Sequence, residues 1–427
     1  MKLIYVVIDG MGDLPIKELE NKTPLEAAET PNMDFLAEKG KTGLMYPVKK
    51  GIAPESDVAV LSILGYDPFK FKARRGPLEA YGADLAMTDG DLALRCNFAT
   101  LGEGRRIVDR RAGRDITTHE AAKLSENINE NVTLESFPAN FEFKNTTGHR
   151  ASLVIRSEVE PLSGEITNTD PAYTRVEGLG VAKTEVEMIL QECNPLDETE
   201  EARMSARLVN EFVRKSHAVL EDHEINKRRM KEGKLSANII LTRDAGSSLP
   251  RLLKIDEKYN VRFACLADMP IERGIAKAAS LKLIDIPPPT GNMRKDNKLR
   301  TKKLLDNLPS FDCFYIHIKG PDEPGHDGKP HLKKQLIAGV DEFFFGKLLP
   351  EIDLENSILC VTADHSTPCK LKTHSDDPVP LLITGNKIKG DDVKRFSEKD
   401  CKRGSLGILK QGTELMPKLI SFLKHGE

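Results

Sequence analysis

Three short apolar runs constrain this chain more than any other feature, because each ends in acid and two of them in imidazole as well. "KLIYVVIDG" ends its run at Asp9. "FDCFYIHIKGPDEPGHDG" ends its run near Ile318 and then offers Asp322 and His326. "SILCVTADH" ends its run at Val361, then offers Asp364 and His365, with His374 nine residues on. Short, near-continuous apolar runs read as strands buried on both faces. Helical stretches separate them, so the expected fold class is α/β, a parallel sheet with helices on both faces. Ligands of such sheets collect beyond the carboxyl ends of the strands. All three runs then deliver their polar residues to one edge.

The intervening segments carry helix signals. In "TPNMDFLAEKG", Thr30 is a candidate N-cap, Pro31 opens the first turn and Gly40 stops the helix. "SDVAVLSILGYDP" starts at Ser56 and stops at Gly65. Leu332, Leu336, Ile337, Val340, Phe344 and Leu348 recur at helical spacing between His331 and Leu349. "EEARMSARLVNEFVRKSHAVLEDHEINKRRMKEGK" reads as one long amphipathic helix. The region from about Pro77 to Asn168 breaks the rhythm, with short β-like runs divided by Gly and polar turns. It reads as an inserted α+β domain. The expected organisation is a discontinuous core, 1–76 and 236–427, around an insert at 77–235, with "ANIILTRDAG" and "YNVRFACLADMP" returning to the core sheet.

A chain of 427 residues, 39% hydrophobic and 30% charged, has material for a large core. The net charge of −3 provides no field for nucleic acid or an anionic membrane. The opening apolar stretch ends at Asp9, too short for a signal peptide, and no run approaches the roughly 20 apolar residues of a membrane span. Seven cysteines without a C-x-x-C pair read as reduced thiols, with Cys313 and Cys360 in the core and the protein in the cytoplasm.

Asp9, Asp322, His326, Asp364, His365 and His374 are three carboxylates and three imidazoles. That mixture suits Zn²⁺ or Mn²⁺ and is too nitrogen-rich for Ca²⁺. Six side chains exceed the needs of one four-coordinate ion and match two ions about 3.5–4 Å apart. Ser56, before an apolar run, has two readings: a helix N-cap, or a nucleophile at a helix N-terminus that stabilises phosphate. "RRIVDRRAGR" concentrates Arg105, Arg106, Arg110, Arg111 and Arg114 in a chain that is acidic overall, and His149 and Arg150 begin a strand of the same insert. Arginine forks bind carboxylate and phosphate in bidentate fashion. Lys319, beside Asp322, is a candidate phosphate contact.

These residues sit in motifs that resemble the archaeal type of cofactor-independent phosphoglycerate mutase, in the alkaline phosphatase superfamily. The resemblance runs through "VVIDGMGD", "KTPLEAAETPNMDFLA", "SDVAVLSILGYDP", "RGPLEAYGADL", "RCNFATL", "VDRRAGR", "HRASLVIRS", "IKGPDEPGHDG" and "TADHSTPCKLKTHSDDPVPLLI". It implies an alkaline-phosphatase-like core interrupted by a substrate domain, with two divalent ions (Mn²⁺, Zn²⁺, Co²⁺ or Mg²⁺). Asp9, Ser56, Asp364 and His365 would hold one, and Asp322, His326 and His374 the other. It implies interconversion of 2- and 3-phosphoglycerate through a phosphoserine on Ser56, without 2,3-bisphosphoglycerate. Arg110, Arg111, Arg114, His149, Arg150 and Lys319 would bind substrate. The chain departs from the usual pattern at Glu55, where the family has glycine before the serine. The partner is a small molecule, and an oligomer is compatible with the sequence. A metal-dependent phosphatase, a phosphopentomutase and a silent metal-stabilised scaffold are the rival expectations.

Overall fold

The computed structural model describes residues 1–427 except Lys72, Glu177, Gly178, Thr184, Glu185, Asn386, Lys387, Gly426 and Glu427. The chain forms two compact units, Met1–Phe71 with Leu252–Glu427, and Lys72–Arg251.

The first unit is built on one eight-stranded sheet. Lys282–Leu283, Phe263–Leu266, Cys313–Ile318, Lys2–Ile8 and Ser357–Thr362 lie side by side in parallel. Val379–Gly385 then runs antiparallel to Ser357–Thr362. Lys41–Met45 runs antiparallel to Val379–Gly385, and Gly407–Leu409 completes the edge. Successive residues of the central strands are buried, from Leu3 to Ile8 and throughout Cys313–Ile318 and Ser357–Thr362. That pattern requires cover on both faces. The final helix, Leu415–His425, packs against two of these strands.

Register decides what the sheet presents. Ile8 is level with Ile318, and Val7 with both His317 and Thr362. The three parallel strands therefore end together, and Asp9, Lys319 and Asp364 emerge side by side.

The second unit centres on an antiparallel sheet. Leu92–Leu101 is flanked by Arg150–Ser157 and Ile239–Gly246, with Ala139–Thr147 beyond and Ile107–Asp109 at one end. Its core joins Phe98, Phe143 and Leu153 to Leu208, Phe212 and Leu220 of the helix Glu200–Glu221.

Two sequence expectations change. The run "ANIILTRDAG" does not return to the core sheet: its strand Ile239–Gly246 pairs with Leu92–Leu101, so the second unit extends to Arg251 rather than 235. An apolar run carries no label for its partner strand, and this pairing is a tertiary choice. The long amphipathic helix is also broken. Glu200–Glu221 ends at Asp222, and His223 caps a new helix, Glu224–Lys231, by accepting the Ile225 N–H. All seven cysteines are buried and free. No helix among the described residues is long and apolar enough to cross a membrane.

Candidate functional site

In the first unit, sharp turns follow the aligned strand ends. Gly10 has φ +59°, and a Cβ there would stand 2.7 Å from the Asp322 Cβ. Only glycine gives both the left-handed turn and that approach. Its N–H donates to Asp364 Oδ1 at 3.1 Å, linking two acid-bearing loops. Lys333, fully buried on the helix Pro330–Val340, donates to Gly12 O, Asp13 Oδ2 and Thr367 O at 2.8–2.9 Å. One ammonium thus ties the turn after the first strand to the loop after Thr362.

All six candidate ligands named from the sequence and Ser56 come together at this edge. His326 Nε2 and His374 Nε2 are 3.2 Å apart, and each is 3.4 Å from Asp322 Oδ1. The other nitrogens lie beside backbone carbonyls, His326 Nδ1 at Lys372 O and His374 Nδ1 at Pro54 O. A carbonyl only accepts, so both Nδ1 atoms carry protons. With both rings neutral, two Nε2 lone pairs would face each other across 3.2 Å, an arrangement that a shared proton or a metal ion resolves. His365 Nε2 is 3.4 Å from Asp9 Oδ1, 3.3 Å from Asp364 Oδ2 and 3.3 Å from Ser56 Oγ. Its Nδ1 donates to Thr367 Oγ1, whose hydroxyl donates to Asp322 Oδ1 at 2.7 Å. The His365 ring stacks on His374 with centroids 3.8 Å apart. One threonine thereby links candidate ligands of both groups.

The donor chemistry fits divalent ions. Asp9 Oδ1 and Asp364 Oδ2 are buried without a hydrogen-bond partner among the described residues. Burial raises the Asp364 pKa, with the nearby Asp9 adding to it. Burial also pushes on Asp9, but Lys319 and the histidines hold it well below the carboxylate range. At His374, burial opposes protonation, but Glu55 and Asp322 carry its pKa up to about 10. The whole edge attracts positive charge.

Ser56 opens the helix Ser56–Ile63 and is 7% exposed. The N-cap is Glu55, so the capping role considered for Ser56 does not apply. Glu55 has φ −78° and makes no side-chain capping bond. That extended backbone suits any residue, and glutamate is accommodated there without strain.

Lys319, a candidate phosphate contact, is held here by two carboxylates. Its ammonium pairs with Asp9 Oδ2 at 3.0 Å and with Glu272 Oε1 at 2.8 Å. Glu272, buried on the helix Pro270–Ala278, was not identified from sequence, and neither was His317 in the strand Cys313–Ile318.

In the second unit, arginines gather inside the sheet. Arg95 and Arg243 are directly opposed on neighbouring strands, and both are buried. Like charges so placed repel. Glu79 offsets part of this, at 2.7 Å from Arg75 and 3.3 Å from Arg95. Burial, then Arg243 and Arg75, lower the Arg95 pKa to about 9. His149 falls to about 3, through burial and the charges of Arg150, Arg95, Arg114 and Arg243. Five cationic or imidazole groups thus converge: His149, Arg150 and Arg114 from the sequence reading, Arg95 and Arg243 not. The signal for the latter pair was a charge inside an apolar strand run, in "LALRCNF" and "LTRDAG".

Arg110 is engaged otherwise. Its Nε and Nη2 grip the buried Asp170 at 2.8 and 2.5 Å. Arg111 is half-buried in the following turn, its N–H donating to Asp109 Oδ1. Ala112 and Arg114 have φ +47° and +59°, costly for residues other than glycine. Arg229, fully buried, secures that turn by donating to Ala112 O and pairing with Asp115 and Glu120.

The sequence profile of the family described as 2,3-bisphosphoglycerate-independent phosphoglycerate mutase matches residues 37–226. A 2,3-bisphosphoglycerate-independent phosphoglycerate mutase of Aeropyrum pernix is 41% identical over 429 residues, spanning 99% of this chain and 100% of the relative. One from Pyrococcus abyssi is 40% identical over 100% of this chain and 98% of its own. Among solved structures, a Pyrococcus horikoshii protein matches with 33% identity and a TM-score of 0.78, covering 100% of this chain and 98% of its own. The cofactor-independent phosphoglycerate mutase of Thermoplasma acidophilum matches with 31% identity and a TM-score of 0.62, covering 99% and 100%. With this identity sustained from end to end, the chain belongs to the 2,3-bisphosphoglycerate-independent phosphoglycerate mutase family.

Proposed function

We propose that this chain interconverts 2-phosphoglycerate and 3-phosphoglycerate, with Ser56 as the transient carrier of the phosphoryl group. The observation that carries this reading is the Ser56 hydroxyl at a helix N-terminus, 3.3 Å from His365 Nε2 and beside the buried Asp9–Asp364 pair. Free N–H groups of the first helical turn stabilise a phosphate there.

Asp9, Ser56, Asp364 and His365 would hold one divalent ion, and Asp322, His326 and His374 the other. Bound there, such ions lower the pKa of the serine hydroxyl and neutralise charge on the transferring phosphoryl group. Ser56 Oγ forms a bond to phosphorus as the substrate's ester C–O–P linkage opens at phosphorus. The departing glycerate oxygen gains the proton that the serine loses. The reverse step delivers the phosphoryl group to the other glycerate hydroxyl. The donor is the substrate itself, so no 2,3-bisphosphoglycerate is consumed. The cluster of Arg95, Arg114, His149, Arg150 and Arg243 recognises the substrate's anionic groups, while Arg110 is a structural partner of Asp170. Lys319 positions Asp9.

Acid-quenched intact-mass measurement after adding 3-phosphoglycerate tests the carrier, beside an assay for 2-phosphoglycerate and free phosphate. Wild type is expected to gain one phosphate and to form 2-phosphoglycerate. Ser56→Ala, reloaded with excess metal, forms no adduct and no product. Appreciable turnover in that variant removes Ser56 as carrier, and free phosphate as the main product makes the enzyme a phosphatase.

A further inference from the structure

His317 is 1% exposed and stands one residue before the end of the strand Cys313–Ile318, level with Val7. Its Nδ1 is 2.8 Å from the buried Tyr315 hydroxyl. Its Nε2 has no hydrogen-bond partner among the described residues. That atom faces Asp9 Oδ1 at 3.9 Å, Asp364 Oδ2 at 3.7 Å and Glu272 Oε1 at 3.7 Å. Asp9 Oδ1 and Asp364 Oδ2 likewise lack hydrogen bonds, whereas Glu272 Oε1 is held by Lys319. Three buried polar atoms without partners thus converge, and native interiors rarely tolerate one.

We propose that His317 is a ligand, through Nε2, of the divalent ion that Asp9 and Asp364 hold. This rests on the two-ion reading and assigns a donor that the family motifs do not supply. The spacing argues for it. Distances of 3.7–3.9 Å are too long for N–H···O hydrogen bonds. Donors about 2.1 Å from a shared ion stand roughly 3.0–3.6 Å apart at coordination angles of about 90–120°, so the set closes on an ion with an inward shift of roughly a few tenths of an ångström. In the proposed tautomer the Tyr315 hydroxyl accepts the Nδ1 proton, in the place that a carboxylate, carbonyl or water takes beside most metal-bound imidazoles, and the Nε2 lone pair is left facing the carboxylates.

Charge counting agrees. Asp9, Asp364 and Glu272 bring three negative charges, and Lys319, paired with Asp9 and Glu272, returns one positive. A divalent ion balances the remaining two, whereas an imidazolium at His317 would balance only one. Glu272 stays outside the coordination shell because Lys319 occupies its Oε1. The assignment also bears on metal choice. A second imidazole beside His365 favours Co²⁺, Zn²⁺ and Mn²⁺ over Mg²⁺.

The test uses the full-length protein with Co²⁺ and Zn²⁺. Wild type is expected to bind two Co²⁺, followed by visible absorption and by competition with a chromophoric chelator. His317→Leu should bind one Co²⁺ as tightly as wild type and the other about 100-fold or more weakly, with altered visible bands. Tyr315→Phe should weaken the same ion about 10- to 100-fold. In Zn²⁺-loaded wild type, long-range ¹H–¹⁵N spectra should show His317 Nε2 without a proton. A folded His317→Leu that keeps both affinities and the wild-type bands overturns the proposal. A protonated Nε2 in the Zn²⁺-loaded protein overturns it equally, and that spectrum with Tyr315→Phe decides the matter if His317→Leu does not fold. Wild type binding no ion at all would defeat the two-ion reading itself, a different result from two ions indifferent to His317.

Discussion

The two units each bury a knot of charge, of opposite sign and by different means. The first unit places Asp9, Asp322 and Asp364 in turns after parallel strands whose register makes them end together. The second places Arg95 and Arg243 within paired antiparallel strands, with Arg150 entering from the strand on the other side. Turns after parallel strands are free to carry ligands, since the sheet is finished before they begin. A charge within a strand must be tolerated by the sheet itself, and Glu79 beside Arg95 and Asp244 beside Arg243 supply part of the offset. A buried surplus of acid calls for cations, and a buried surplus of guanidinium calls for anions. The same physics therefore points one unit toward metal and the other toward phosphate and carboxylate.

Chelation should separate the units most sharply. Stripping divalent ions is expected to abolish mutase activity and to loosen the loops at residues 9–13, 322–328 and 364–374, seen as faster amide exchange. The sheet of the second unit should keep its protection. Mn²⁺, Co²⁺ or Zn²⁺ should restore both. Full activity in metal-free protein, by elemental analysis, would end the two-ion reading.

A second break point lies behind the first site. Lys333→Met removes a buried ammonium with three acceptors and leaves Asp13 buried without that partner. Breaking such a pair costs about 3–5 kcal/mol, read by urea unfolding. Metal affinity should fall with it, because Lys333 joins the turn at Gly12 to the loop at Thr367. A variant within 1 kcal/mol of wild type would show that the loops need no such tie.

Much of the first site was legible in the sequence. Apolar runs end where strands end, and Asp or His directly afterwards is visible as text. His317 and Glu272 were not, for distinct reasons. His317 lies inside the run "CFYIHI", where its apolar neighbours mark only a strand. Glu272 sits in "PIERGIAKA", where a glutamate in the first turn reads as an ordinary helix charge. Its burial follows from packing against the sheet edge. In the second unit the clustered arginines of "VDRRAGR" drew attention, yet Arg110 is committed to Asp170, a partner sixty positions away that no local pattern names. The strand Ile239–Gly246 shows the same limit: local sequence gives the strand, and only the tertiary fold gives its neighbour.

That difference among arginines can be sharpened by kinetics. Arg243→Ala removes one charge-assisted contact to an anionic ligand and should lower kcat/KM by roughly ten- to more than hundredfold, or about 1.5–3 kcal/mol. Both ions should stay bound. Arg110→Ala should instead reduce stability, since it strands the buried Asp170, with KM for phosphoglycerate changed less. The reverse pattern, a KM effect at Arg110 and none at Arg243, would return Arg110 to substrate and make Arg243 structural.

The smallest expected effect is also the most direct contrast of the two units, because each holds a perturbed histidine. Glu55 and Asp322 raise His374 to about 10, whereas burial and four arginines lower His149 to about 3. An unfolded histidine titrates near 6.5. For His149 the folded chain therefore binds fewer protons than the unfolded chain between about pH 3 and 6.5. Its contribution to stability is fully present above about 6.5, declines as the pH falls and is gone near 3. His149→Gln should flatten that part of the stability curve and leave stability at pH 8 nearly unchanged. Phosphate should act in the opposite sense from acid. An anion among Arg95, Arg114, Arg150 and Arg243 offsets the charges that depress His149, so its ¹H resonance should titrate at higher pH with millimolar phosphate than without. A pKa indifferent to phosphate would mean that the anion does not enter this cluster, and the second unit's arginines would then be balanced by protein alone.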